Sequence, residues 1–186
     1  MTRVYKVQGD LNNYESLLVD GAPAPPFNGT PMTDTWVPPA VYSPQPTLIT
    51  PDIWLLGSTL IFPSALAGKL GHILAPCGEL LPLPYNDETW WVLNVLPPFD
   101  CLDRETSTWA EVSYPDPKKM AFIEHRLPGV PLFKPVEQRV STFCLEGLAD
   151  REDEFKPVVE DLGLTGLTFI PLWDSDDPSV FATQCL

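Results

Sequence analysis

The residues that could perform acid–base, nucleophilic or metal chemistry are few in this 186-residue chain. It has two histidines, His72 and His125, and neither has a cysteine or second histidine at the spacing of a zinc site. Ser64 and Ser141 lack the G-x-S-x-G context of a nucleophile elbow, and no glycine-rich phosphate loop is present. We therefore expect a protein that is not an enzyme and that needs no cofactor or metal.

One group of carboxylates keeps an enzymatic alternative open. Asp100, Asp103 and Glu105 lie within a span of six residues soon after a predicted strand. Such a group could carry out acid–base catalysis or bind a divalent cation. The same spacing is typical of an exposed turn that is capped by aspartate side chains. We expect the turn and keep a hydrolase as the alternative.

A second and larger group of acidic residues lies near the end of the chain. Ten acidic residues occur from Glu146 to Asp177, against only Arg151 and Lys156, so this segment carries a net charge of −8 out of −14 for the whole chain. If the fold brings these residues together, we expect them to form one acidic surface with an aromatic anchor at its margin. The predicted partner-binding residues are Asp153, Glu154, Glu160, Asp161, Trp173, Asp174, Asp176 and Asp177. For any single one of them, an ordinary solvated helix face is the alternative.

The charge also restricts the class of partner. Neutralising a phosphate backbone requires lysine and arginine, so 25 acidic against 11 basic residues argue against direct nucleic-acid binding. A basic protein partner fits better, because complementary fields accelerate its encounter with an acidic surface. An acidic surface that serves only solubility is the alternative.

The elements that would position the acidic residues form a strand–helix–strand unit. Val140–Leu145 has the β-branched and aromatic content of a strand, and Leu164–Trp173 is a second apolar strand. Between them, Glu154–Leu162 predicts a helix with Pro157 in its first turn. Its apolar residues recur at offsets of three and four: Phe155, Val158, Val159 and Leu162.

The rest of the chain predicts an α+β fold, mainly an antiparallel sheet with two or three short helices. The other predicted elements are a strand at Arg3–Val7, a helix from Pro63 to Leu74, a hairpin of Glu79–Tyr85 with Thr89–Leu96, and strands at Met120–His125 and Leu132–Val136. Leu11–Val19 is ambiguous.

An extended proline-rich arm precedes the main body. The segment 23–51 contains nine of the 23 prolines, a density that leaves only extended chain and turns. The arm could bind a groove on a partner, but Phe27, Trp36 and Tyr42 favour packing on the protein's own surface. We divide the chain into an N-terminal strand and arm (1–52), an α+β domain (53–178) and a tail (179–186).

The cysteines, the first residues and the lengths of the apolar runs lead us to expect a cytoplasmic protein. The four cysteines lie far apart without a C-x-x-C pair, which is typical of reduced, buried thiols. The first residues lack the apolar core of a signal peptide, and no apolar run reaches the roughly 20 residues of a membrane span.

The order of several short segments resembles a family of bacterial immunity proteins from polymorphic toxin systems. The segments that carry the resemblance are Ile61-Phe62-Pro63-Ser64, Gly78-Glu79-Leu80-Leu81-Pro82-Leu83, Trp90-Trp91-Val92-Leu93-Asn94-Val95, Asp100-Cys101-Leu102-Asp103, Phe133-Lys134 and Leu164-Thr165-Gly166-Leu167-Thr168-Phe169. The resemblance covers about two-thirds of the chain and leaves out the proline-rich arm.

The resemblance implies binding and neutralisation of a cognate bacterial toxin, with no catalytic residues of its own. Together with the acidic segment it predicts occlusion of a basic, nuclease-like active site by the acidic surface. A structural or adaptor protein that oligomerises or binds partners through its arm is the alternative.

Overall fold

Two β-sheets and three short α-helices make up most of the regular structure of the residues that the computed structural model describes, 1–21, 23–109 and 117–177. The strands are β1 (Arg3–Gly9), β2 (Leu18–Val19), β3 (Val41–Tyr42), β4 (Trp54–Leu56), β5 (Thr59–Pro63), β6 (Gly78–Tyr85), β7 (Glu88–Val95), β8 (Pro98–Phe99), β9 (Thr108–Trp109), β10 (Pro117–Lys119), β11 (Leu132–Pro135), β12 (Thr142–Glu146) and β13 (Leu167–Asp174). The helices are α1 (Ser64–Lys69), α2 (Gly71–Leu74) and α3 (Phe155–Asp161).

The first sheet has five strands in the order β13-β1-β12-β11-β8. Its pairs are antiparallel except for β11 with β8. The N-terminal strand β1 therefore lies inside the sheet, between two strands from the last third of the chain. Arg3 is opposite Glu146 on one side and Asp174 on the other, so the start of β1 meets the ends of β12 and β13.

The second sheet is antiparallel, in the order β4-β5-β7-β6. Its longest pair is the hairpin of β6 with β7, which turns at Asn86 and Asp87 with φ values of 51° and 62°. Asparagine and aspartate tolerate this left-handed conformation, which matches the twist of a two-residue hairpin turn.

Both faces of the first sheet are buried. On one face, Tyr5, Val7 and Cys144 belong to a core that includes Phe155 of α3. On the other face, Val4 and Trp173 belong to a second core. Phe155 is fully buried, because the helix lies with its apolar face on the sheet. A third core joins the second sheet to residues that precede it, including Leu17 and Phe27.

The structure confirms the predicted α+β class, the hairpin and the strand–helix–strand unit. The predicted helix from Pro63 to Leu74 is divided in two at Leu70, whose backbone (φ −92°, ψ 6°) departs from helical values between Gly68 and Gly71. Leu11–Val19 forms no helix, and its last two residues form β2.

The predicted strand at Met120–His125 is wrong. It makes one isolated bridge, from Phe122 to Leu102, and continues as a 3₁₀ turn at Glu124–Arg126. The ladder stops there because the facing segment turns after Asp103, whose carbonyl accepts the N–H of Ser107 (2.9 Å).

Three buried or partly buried polar side chains connect the arm to the two sheets. Lys134 Nζ donates a hydrogen bond to the carbonyl oxygen of Phe27. Asn94 Nδ2 donates to the carbonyl of Thr30 and to Glu79 Oε1, at 2.8 Å each. The arm is therefore held by side chains of β6, β7 and β11.

Glu79 and Trp36 extend the same attachment. Glu79 accepts hydrogen bonds from the N–H groups of Met32 and Thr33 and from the Thr33 hydroxyl. Burial raises the pKa of Glu79, but these bonds outweigh it, so the pKa lies below its usual value. Trp36 Nε1 donates to the Pro82 carbonyl at 2.7 Å. The aromatic anchors Phe27 and Trp36 thus pack on the protein itself, while Tyr42 is exposed.

Candidate functional site

The acidic residues of the C-terminal segment gather where β1 begins and β12 and β13 end. We call this region the acidic end. It comprises ten acidic and three basic residues, a net charge of −7: Glu146, Asp150, Glu152, Asp153, Glu154, Glu160, Asp161, Asp174, Asp176 and Asp177 with Arg3, Arg151 and Lys156. It holds half of the chain's net charge of −14.

A hydrogen-bonded network links α3 to β1 and β12. Lys156 Nζ donates to Glu146 at 3.0 Å and to Glu160 at 3.1 Å, and it lies 4.8 Å above the centre of the Tyr5 ring. The Tyr5 hydroxyl donates to Glu146 at 2.8 Å. Burial and the Glu146 carboxylate raise the pKa of Tyr5 to about 12, so this hydroxyl stays protonated at neutral pH.

The end of β13 is tied to the start of β1. Arg3 Nε donates to Asp174 Oδ2 at 2.8 Å, and this bond lowers the pKa of Asp174. The Thr2 N–H donates to Ser175 Oγ, and the Ser175 N–H donates to the Thr2 carbonyl, both at 2.9 Å. Asp176 follows these contacts directly and is exposed.

The segment before α3 presents carboxylates without cationic partners. Asp150, Glu152 and Asp153 are exposed, and none has an ion-pair partner among the described residues. The one cation of this segment, Arg151, is bound by Asp161, with Nη2 at 3.1 and 3.2 Å from its two oxygens. The negative charge of this segment is therefore open to solvent.

The structure brings the predicted site residues together but places three of the eight in the interior. Glu154 is 7% exposed, and its Oε1 accepts the N–H groups of Gly147 (2.7 Å) and Leu148 (2.9 Å). Asp174 is 7% exposed and bonded to Arg3. These two carboxylates hold the fold and are not available to a partner.

Trp173 also requires correction, because it is 5% exposed and cannot anchor a partner from the surface. The pairing of β13 with β1 shifts by one residue at Leu172, so Leu172 and Trp173 both enter the second core. There Trp173 meets the edge of Phe122, with ring centres 6.0 Å apart. Asp153, Glu160, Asp161, Asp176 and Asp177 remain exposed.

Sequence reasoning missed the polar side chains that organise the acidic end, namely Arg3, Tyr5, Glu146 and Lys156. The spacing of Lys156 and Glu160 is a recognisable i, i+4 ion pair, and could have been found. Lys156 and Glu146 are ten positions apart. The contacts of Arg3 with Asp174 and of Tyr5 with Glu146 join residues more than 100 positions apart, and no local pattern signals them.

The alternative group of carboxylates has structural contacts. Asp103 accepts the N–H groups of Glu105 and Thr106 on Oδ1 and the Thr106 hydroxyl on Oδ2, which lowers its pKa. Asp100 pairs with Arg104 at 2.7 Å. Within the described part of the chain, no three His, Cys, Asp or Glu side chains lie where they could hold a metal ion.

The thiols of the described residues are buried. Cys77, Cys101 and Cys144 are free, and burial raises the pKa of Cys77 and of Cys101 to about 12. Cys185 and the tail 179–186 lie outside the described residues. None of the described helices has the length and apolarity needed to cross a membrane.

Comparison with known proteins adds no assignment. No family model matches the chain, and no curated protein matches it at a significant level.

Proposed function

We propose that this protein is a non-enzymatic immunity protein that binds a cognate bacterial toxin and covers a basic, nuclease-like active site with its acidic end. The observation that carries the proposal is the exposed run Asp150, Glu152 and Asp153, which has no cationic partner among the described residues and belongs to a region of net charge −7. A nuclease site is built to attract phosphate, so an acidic protein surface can occupy it and associate fast.

Five of the supporting residues are among the eight expected from the sequence, and two are additional. Asp153, Glu160, Asp161, Asp176 and Asp177 are exposed and form the proposed contact surface together with Asp150 and Glu152. The network of Arg3, Tyr5, Glu146 and Lys156 holds α3 against the sheet beneath that surface. A surface on a fixed scaffold loses little conformational entropy on binding.

The adaptor alternative places the partner on the arm. Its anchors Phe27, Met32 and Trp36 pack in the third core, so an arm-mediated contact would have to use the exposed side chains of Val37, Tyr42 and Ile49. Deleting the arm would remove core residues. A surface change is the cleaner way to separate the two functions.

The test compares two triple variants as baits for the partner in lysate of the native host. Glu152→Lys/Asp153→Lys/Asp176→Lys changes the acidic end, and Val37→Ser/Tyr42→Ser/Ile49→Ser changes the arm. Our proposal predicts that the wild type and the arm variant recover the same basic, toxin-like protein, identified by mass spectrometry. The acidic-end variant should lose it, and high salt should weaken recovery by screening the charges.

Recovery of only the chain itself, or loss of the partner with the arm variant alone, would contradict the proposal in favour of the structural or adaptor function.

A further inference from the structure

A cleft of about 500 Å³ opens beside the acidic end, between α2, the segment around Pro131 and the segment from Leu148 to Asp153. Its volume lies within the range of sites that take a ligand or a side chain. Pro76, Pro131 and Leu148 contribute apolar walls, and His72 and Asp153 are its titratable lining residues.

The charge at the cleft is negative. Asp153 has no ion-pair partner within residues 1–21, 23–109 and 117–177. The nearby residues Asp150 and Glu152 also have none within these ranges. Arg151 is engaged by Asp161. His72 Nε2 lies 3.4 Å from the Glu152 carbonyl oxygen.

The wall of the cleft is held in place by a buried group. The Glu154 carboxylate accepts the N–H groups of Gly147 and Leu148, and it is shielded from solvent. Gly147 has φ +100°, and a Cβ there would lie 2.6 Å from the Met1 carbonyl oxygen, so glycine is required at this turn. The position of Leu148 therefore depends on two fixed contacts.

We infer that this cleft receives an arginine or lysine side chain of the protein partner. The aliphatic part of such a side chain would lie along Pro76, Pro131 and Leu148, and its cationic head would meet Asp153. An apolar wall with an unpaired carboxylate at its edge is complementary to a long aliphatic side chain that ends in a cation. An acidic or purely apolar side chain would not match both features. The inference rests on the proposed function and names the anchor point within it.

The test uses the full chain and a short probe, the peptide acetyl-Ala-Arg-Ala amide, followed by ¹H–¹⁵N spectra. We expect saturable shifts concentrated at the backbone amides of Gly129, Leu148 and Ala149. Asp153→Asn should weaken binding about tenfold, the value of one charge-assisted hydrogen bond. The same peptide with citrulline in place of arginine should not bind.

Two further variants keep the result interpretable. Ala149→Trp fills the cleft without changing any charge and should abolish the shifts. Asp87→Asn makes the same chemical change as Asp153→Asn at the exposed hairpin tip, and should leave binding unchanged. Unaltered spectra elsewhere show that each variant is folded.

Shifts spread over the acidic end, or equal binding by Ala149→Trp, would overturn the inference while leaving the acidic surface in place. A different result would contradict the proposed function alone: the chain gives no protection against the toxin-like protein that it captures, although the cleft still binds the peptide.

Discussion

Single residues in this protein combine burial with charge in ways that solution measurements can detect. Lys134 is the clearest case, because it is 1% exposed and donates to the Phe27 carbonyl. Burial lowers its pKa from 10.5 to about 8. The lysine that fixes the arm is therefore a cost to stability at neutral pH, offset by the apolar contacts that burial brings.

The first prediction concerns the pH dependence of stability. Between pH 8 and 10.5 the unfolded chain keeps the proton of Lys134 and the folded chain loses it, so this residue makes unfolding less favourable as pH rises. Measured by urea unfolding, the stability of the wild type relative to Lys134→Met should increase by about 3 kcal/mol from pH 7 to 10. Below about pH 7 the difference should be constant, because Lys134 is then protonated in both the folded and the unfolded chain.

The comparison with Lys134→Met is necessary because other groups act in the opposite direction. Cys77, Cys101 and Cys144 have raised pKa values in the folded chain, so they reduce stability above about pH 9 in both proteins and cancel in the difference. A difference that does not change with pH would show that Lys134 is not charged and buried at neutral pH.

At the scale of elements, α3 links the core to the acidic end. One side of the helix buries Phe155 and Val159, and the other carries Lys156 and Glu160 in the network with Glu146. The Phe155 ring packs edge-to-face against Phe62 and Phe169, with ring centres 6.4 and 6.2 Å apart. The geometry of the acidic end therefore depends on a buried aromatic contact.

Our second prediction is that Phe155→Ala lowers the free energy of unfolding by about 3–5 kcal/mol, because it removes buried contacts and leaves a cavity. Leu162→Ala is the control, because Leu162 directly follows the helix and its side chain is 40% exposed. This change should lower the free energy of unfolding by less than about 1 kcal/mol. Denaturant unfolding measures both. Equal costs would mean that α3 is not docked through Phe155.

Local signals in the sequence were enough to predict the hairpin of β6 with β7 and the helix α3, because each depends on residues close in the chain. The position of β1 inside the first sheet was not predictable, since its partners lie some 140 to 170 residues away. The interior position of Trp173 depends on the shift at Leu172 and on a sheet that is covered on both faces. The alternation of apolar and polar residues along one strand reveals neither the register shift nor the burial of both faces.

The candidate site was predictable as a charge distribution and not as a set of contacts. The count of acidic residues located the region, but burial of Glu154 follows from the turn at Gly147, and that of Asp174 from Arg3 at the opposite end of the sequence. Likewise, Glu79, Asn94 and Lys134 lie in the segments that carry the resemblance, and only the structure shows that all three hold the arm.

At the scale of the whole molecule, charge is concentrated at one end of the first sheet. The acidic end holds half of the net charge of −14, and the start of β1 lies there. The strand runs seven residues from Arg3 to Gly9, about 20 Å, to an opposite end lined by Lys6, Leu11 and Ser141. An approaching basic protein would be oriented by this asymmetry before contact.

The most direct measurement is growth of host cells that produce the captured toxin domain together with this protein. We predict that the wild type restores growth and that Glu152→Lys/Asp153→Lys/Asp176→Lys does not, although both accumulate as folded protein. Asp87→Lys, a charge reversal at the hairpin tip, should protect as the wild type does. Failure of the wild type to protect, or full protection by the triple variant, would contradict an immunity function exerted through the acidic end.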